Sequence, residues 1–373
     1  MSEQSPRTSA DLRLSHHTRA DLLGPELWWR DHYEWLLEKG YSLRPRYRPG
    51  WKPSWREHPD KNPRDFEDWQ RYSNTILLDA VRLSDNSLVA LKQVSARLNP
   101  HEIEVVQFLN NEEHRSDPHD HTVPILDVLP VPDDPDVTVL VRPLLRTCDE
   151  PSWRIVGEVV AFLFQVFEGL QYMHELNVAH RDCMAMNIMY DPRTMYPNMY
   201  HPQDLSKTRD WKRGVKVYDR TSRPVRYYFI DFGISRRYNP EDGPPREHPI
   251  LGGDKTAPEF KDWKGDLLDP FPTDIYYIGN MIQRTLLQNY RGLTFLAPLV
   301  EGMVQVEPSK RPTVQEVVRR FDGVLNSLDQ WTLRSRVAPA KEDLTLTKFL
   351  RIPHFFRTLR YVLLRKPAIP LPS

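Results

Sequence analysis

Between Gly50 and Gly157 the chain has no glycine at all. That absence removes the usual material for a backbone loop that wraps phosphates, because glycine lets a chain adopt φ > 0 and bring its N–H groups close to a ligand. Cysteine is nearly missing too. Cys148 and Cys183 are the only two, so no disulfide framework is implied and a reducing compartment fits. No apolar run reaches the length of a membrane-spanning helix. The polar N-terminal stretch lacks the character of a signal peptide, and a cytoplasmic or nuclear location is expected. Net charge is also lacking: 51 basic and 51 acidic residues cancel, which gives no general case for nucleic acid as a partner. What the chain does have is length, 373 residues, and 34 prolines. That is ample for a core in two lobes.

The chemistry concentrates in His180-Arg181-Asp182 and in Asn187, five positions after Asp182. An aspartate in a tight loop can accept a proton from a substrate hydroxyl, and an asparagine at that spacing can hold a Mg²⁺ ion beside it. Upstream, Val159, Phe162, Leu163, Val166, Phe167, Leu170 and Met173 form a 3.6-residue stripe, which predicts a helix leading into the loop. Downstream, the β-rich run 226–230 delivers Asp231-Phe232-Gly233. A carboxylate at a strand end followed by a glycine suits metal-phosphate binding. Ala257-Pro258-Glu259 and Arg311 follow.

In this order the set resembles the eukaryotic protein kinase family over about residues 70–325, and the chain is also similar to fungal kinase-like proteins. The resemblance implies an α+β, bilobal protein-kinase-like fold. A small β-sheet lobe with one helix covers 70–145 and a larger, mainly helical lobe covers 146–325. Residues 1–69 are an N-terminal extension and 326–373 a tail. It implies ATP and Mg²⁺ as cofactors, and transfer of the γ-phosphate to a protein hydroxyl, with Ser/Thr ahead of Tyr. Asp182 is then the catalytic base, Asn187 and Asp231 hold the metal, and Lys92 holds the phosphates, braced by Glu102. Ala90, Leu77 and Leu145 contribute to the nucleotide pocket. The A-P-E segment distinguishes this set from the aminoglycoside-phosphotransferase relatives.

Taken in order, residues 1–23 are polar and aperiodic and are expected to be disordered. Residues 25–39 predict a helix, with proline at its start and Gly40 past its end. The aromatic-proline segment 41–55 is expected to be an extended strap packed on its own domain. Residues 75–83 and 87–94 predict two strands around a turn at 84–86. The second contains Val89-Ala90-Leu91-Lys92, which looks like the kinase lysine strand. Pro100 opens a helix whose Glu102 fits the lysine partner, with Glu104 as the other candidate. Residues 121–126 and 138–141 predict further strands, and 143–145 the hinge. The tail from 345 to 366 is basic and aromatic, an amphipathic helix expected to dock on the large lobe, with an anionic membrane surface as the other reading.

Several features depart from the family. The slot for the glycine-rich loop, residues 70–75, has no glycine, and Arg71 is the available substitute charge. Arg142 stands where the pocket behind the adenine is guarded. Met184 replaces the lysine that Ser/Thr kinases carry two residues after the catalytic aspartate. An insertion at 191–226, rich in Pro, Tyr, Lys and Arg, reads as a solvated face or as a site for an acidic protein partner. In the activation segment, only Ser235, Tyr238 and Thr256 could take phosphate, and Arg181 is expected to meet Glu241 or Asp242 instead. A pseudokinase, acting as a binding scaffold, is therefore the alternative to an active kinase.

Overall fold

The computed structural model describes residues 21–71, 74–249, 252–261 and 263–372. The expected disordered start therefore lies almost wholly outside the described residues. Pro25 sits in the first turn of α1 (Gly24–Asp31), as the sequence predicts, but the helix breaks at His32 before α2 (Tyr33–Glu38). Gly40, at φ +89°, then turns the chain into β1 (Tyr41–Leu43).

That strand corrects the reading of 41–55 as strap alone. Tyr41 pairs with Arg82 and Leu43 with Ala80 on β2 (Leu77–Arg82). β2 and β3 (Ser87–Ser95) form the expected hairpin, with Asn86 at φ 57° in its turn. β5 (Val137–Pro143) lies against the other side of β3, and β4 (Asp127–Pro130) closes the far edge. The result is a five-stranded antiparallel sheet in the order β1-β2-β3-β5-β4. Residues 121–126 are not the predicted strand. Their backbone is engaged elsewhere: Val123 N–H donates to Phe229 O, and Phe229 N–H to His121 O, while Pro124 has no N–H to offer a ladder.

One face of the sheet buries Val89, Leu91, Val139 and Val141 against Trp29, Tyr33 and Leu36 of α1 and α2. Trp29 is 2% exposed, and a side chain of that size contributes about 2–3 kcal/mol by burial. The two N-terminal helices are thus part of the sheet's own core. Because side chains alternate along a strand, Ala90 and Lys92 fall on the opposite face. α3 (Glu102–Leu109) and the short α4 (Glu112–Arg115) lie between β3 and β4 in the chain.

The C-terminal region is largely helical and is built around α5 (Val156–Glu175), whose predicted stripe is buried throughout. α6 (Phe271–Met281), α7 (Ala297–Met303), α8 (Val314–Asn326) and α9 (Gln330–Arg334) complete its core. Thr313 caps α8 in a reciprocal box, with Glu316 N–H donating to Thr313 Oγ1 at 3.3 Å and Thr313 N–H to Glu316 Oε2 at 3.1 Å. β6 (Arg146–Thr147), β8 (Ile188–Tyr190) and β9 (Tyr227–Phe229) form a small sheet, and β7 (Val178–Ala179) pairs with β10 (Arg236–Arg237). Among the described residues, no helix is long and apolar enough to cross a membrane. Both cysteines are free and buried.

The insertion is neither a bare solvated face nor a loose loop. Arg220 is buried, donating to Cys148 O at 2.8 Å with its guanidinium 4.5 Å from the Trp153 ring centroid. Thr221 donates to the buried Glu158 at 2.8 Å. Arg146 lies over both Tyr196 and Tyr200. Further out, the insertion reaches the chain that follows the strap: His201 Nε2 is 3.0 Å from Glu67 Oε1, and Trp211 Nε1–H donates to Arg64 O at 3.1 Å.

Candidate active site

Lys92 enters from the middle of β3 and meets two carboxylates. Its Nζ is 2.5 Å from Glu102 Oε1 and 2.8 Å from Asp231 Oδ1. Glu102 takes the partner role, and Glu104, the other candidate, is exposed and faces His101 instead. Glu102 reaches Lys92 from the first turn of α3 and is 1% exposed. Burial pushes its pKa up, and Lys92 offsets only part of that. Asp231 shows the opposite balance. Burial works to raise its pKa, but Lys92 and then Arg142 outweigh burial and hold the carboxyl below its ordinary range. The Asp231 backbone sits at φ +63°, and Asn99 Nδ2–H fixes the turn after it by donating to Gly233 O at 2.9 Å. A Cβ on Gly233 would come within 2.8 Å of that same amide nitrogen, so a larger residue here would push the Asn99 side chain aside.

Asp182 and Asn187 form the second half. Asn187 Nδ2 donates to Asp182 O at 3.0 Å and to Asp182 Oδ2 at 2.8 Å. The two halves are tied through Ile230: its N–H donates to Asn187 O, and its carbonyl accepts from His180 Nε2 at 3.1 Å. His180 is fully buried between Phe229 and Phe232. Burial lowers its pKa, which keeps the ring neutral, so that Nδ1 can accept from the Asp182 N–H at 3.3 Å. Beneath the loop, the buried Asp274 accepts from the backbone N–H groups of His180 and Arg181 at 2.8 and 2.7 Å. Arg181 is held at φ +69°. Arg311 and Glu259 form a bidentate pair at 2.8 and 2.6 Å.

The segment from Asp231 to Glu259 departs from expectation. Arg181 does not meet Glu241 or Asp242, which lie on an exposed turn. Its partner is Glu247, at 2.9 Å, and Glu247 also pairs with Arg236. One carboxylate thus bridges two guanidinium groups. A small cleft lies beside this bridge, between Arg181, His248 and Tyr277, away from Lys92. Ser235 is buried with its hydroxyl on His180 O, and Thr256 bonds Asp254. Gly253 N–H donates to Asp182 Oδ1 at 2.8 Å, so both Asp182 oxygens are engaged. A Cβ on Gly253 would fall 2.2 Å from Met184 Sδ.

On the sheet, Leu77 and Leu140 lie directly opposite Lys92, and Asp79 and Arg142 opposite Ala90. Direct cross-strand partners share a face, so Leu77, Ala90, Lys92 and Arg142 come together as a group. Leu145, beyond the end of β5, is buried in the C-terminal core. The loop slot at 70–75 falls partly outside the described residues. Arg71, expected to replace the missing glycines, turns the other way and donates to Asp21 O at 2.8 Å. The connection from β1 to β2 runs over residues 44–76, so no tight glycine hairpin closes it.

Among the described residues, no group of three or more His, Cys, Asp or Glu side chains could hold a metal ion. A magnesium ion bound through one carboxylate, one amide oxygen and substrate phosphates needs no such group. Asn187 Oδ1 is turned away from Asp182 by the bonds its nitrogen makes, and Asp231 Oδ2 makes no hydrogen bond among the described residues. The donor set fits that ion.

No protein-family model matches the chain, and no curated protein matches it. The geometry of these residues therefore carries the functional reading. Sequence reasoning missed Glu247, Asn99 and the Gly253 N–H. Glu247 was one acid among several in its segment, and nothing in its spacing ranked it above Glu241.

Proposed function

We propose that this chain is a protein kinase-like phosphotransferase, with a bilobal fold, that moves the γ-phosphate of ATP to a protein hydroxyl. The observation that carries the reading is the meeting of Lys92, Glu102 and Asp231 next to a loop in which Asn187 orients Asp182. Lys92 is a compact cation poised for the nucleotide phosphates, and Glu102 fixes its position. Asn187 Oδ1 and Asp231 Oδ2 would hold Mg²⁺, which when bound neutralises charge on the phosphoryl group. Asp182 accepts the acceptor hydroxyl's proton once Gly253 yields its hold on Oδ1. The residues contribute positioning and electrostatics, with little covalent work.

A second reading, a pseudokinase scaffold, has its own support. Arg142 sits on the Ala90 face and is 9% exposed. Its charge acts on both Glu102 and Asp231, so it occupies space and potential that a purine would need. Thermal melting with and without ATP and Mg²⁺ separates the two. Ligand at about 100 times its Kd stabilises by about 2.7 kcal/mol, a rise of about 3–4 °C for a chain of this size. The kinase reading expects that rise, its loss in Asp231→Asn, and phosphotransfer abolished by Asp182→Asn with binding spared. No rise in the wild type would leave the scaffold.

A further inference from the structure

The C-terminal helix α10 (Leu344–Leu363) is anchored at both ends and bare along one side. At its start, Asp343 caps the Thr345 and Leu346 N–H groups, and Glu342 accepts from Thr347 and pairs with Arg336. After its end, Arg334 donates to Lys366 O at 2.8 Å, and Lys366 Nζ to Ser222 O at 3.2 Å. Ala368 packs so closely on α5 that a Cβ on Gly157 would lie 1.7 Å from its carbonyl oxygen. Tyr361 and Thr358 are buried on the inner side. The expected docking on the large lobe is thus half the description.

Phe349, Ile352, Phe356, Leu359 and Leu363 recur every three or four residues, which puts them on one stripe. Phe355 widens it. These six side chains range from 44% exposed at Leu359 to 74% at Leu363. At 100° per residue the stripe lies opposite Tyr361, with Arg351 along one edge and Arg360 along the other. No aspartate or glutamate occurs from residue 344 to the end of the sequence, whereas Lys348, Arg351, Arg357, Arg360, Arg365 and Lys366 do. An exposed apolar strip of this extent on a soluble fold marks a contact surface.

We propose that α10 is a docking face for an anionic lipid bilayer, lying in the plane of the interface with its phenylalanines inserted and its arginines on the headgroups. Charge selects this occupant over a second copy of the chain. Pairing two copies of this face would bring the exposed Lys348, Arg351, Arg360 and Arg365 of each together with no acid from residue 344 onward to offset them. An anionic surface complements these four, and phenylalanine between flanking arginines is the composition of an interfacial helix. A helix about 30 Å long fits along such a surface. The proposal is independent of phosphotransfer.

The test uses the full-length protein, sedimented with vesicles of phosphatidylcholine alone or of phosphatidylcholine mixed with phosphatidylserine. Affinity for the mixed vesicles is expected to be at least about tenfold higher, falling with added salt. Phe355→Ser/Phe356→Ser, and separately Phe349→Ser, should each weaken binding while leaving the melting temperature unchanged, since these side chains touch solvent. Three results would overturn the proposal. One is no binding to anionic vesicles. Another is binding indifferent to the phenylalanine variants. The third is a dimer, seen by light scattering, that the double variant dissolves, which would assign the face to a second copy.

Discussion

Replacing Lys92 by methionine should deepen the pH dependence of this protein's stability and carry it to higher pH. Lys92 is the cation shared by Glu102 and Asp231, at 2.5 and 2.8 Å. Methionine keeps most of the side-chain volume and removes the charge. Glu102 is then a buried carboxylate beside a second carboxylate. Breaking a buried pair by removing one partner costs about 3–5 kcal/mol. The lower end applies here: the Asp231 side chain is 47% exposed, so solvent screens its share, and the Arg142 charge still reaches both acids. A loss of about 3 kcal/mol near neutral pH, divided by an unfolding entropy of about 2.1 cal/mol/K per residue, lowers the melting temperature by about 4 °C.

The sign of the pH dependence follows from Glu102. Its folded pKa is already raised by burial, so the folded state holds that proton more tightly than the unfolded chain, whose glutamates titrate near about 4.3. Stability linked to it is full below that value and declines as pH rises through the folded pKa. Without Lys92 the folded pKa climbs further, so the declining window extends upward. The gap between wild type and Lys92→Met should therefore be widest near neutrality and should shrink as pH falls toward about 5. Differential scanning fluorimetry across that range reads it directly. A gap of constant size at every pH would refute the reasoning, because it would mean that Glu102 does not feel the loss of its cation.

Two further perturbations test the surroundings. Glu247→Ala leaves the buried Arg181 without its carboxylate and frees Arg236; it should cost about 2–3 kcal/mol and speed hydrogen exchange in 236–256, and unchanged exchange there would show that the bridge does not order the segment. Arg220→Leu removes the donor to Cys148 O from beneath Trp153; about 2 kcal/mol should be lost, and trypsin should cut faster at the exposed Lys212 if Arg220 pins the insertion.

What could be read from the sequence was local. The Asp182–Asn187 spacing, the Asp231-Phe232-Gly233 turn and the α5 stripe each lie within a few turns of chain, and the structure has them where the pattern puts them. The Lys92–Glu102 pair was reachable because strand, turn and helix follow one another directly. The misses are long-range. β1 finds its partner across residues 44–76, and no local pattern records that register. Residues 121–126 have the apolar look of a strand, but His121 and Val123 bond Phe229, more than a hundred positions away, and Ile125 N–H bonds the Asn110 side chain. Glu247 beat Glu241 and Asp242 through the path of a loop whose course depends on everything beneath it.

The missing glycines acquire a physical reason from that long connection. A tight phosphate-wrapping hairpin needs φ > 0 and therefore glycine; a connection of this length can turn gradually and be pinned by side chains instead. It is pinned heavily. Arg46 is fully buried with its Nε 2.6 Å from Glu26, and Arg44 lies 3.2 Å from the buried Asp79. Asp68 accepts from Ser54 and Trp51. The same connection then bonds the insertion of the helical region through Glu67–His201 and Arg64–Trp211. Those two contacts join the sheet side of the molecule to the helical side. Any motion that parts the sheet from the helices must break them, at a net cost of about 1 kcal/mol for an ordinary hydrogen bond and more for one to a charged group. The connection and the insertion together act as a brace between the sheet side and the helical side.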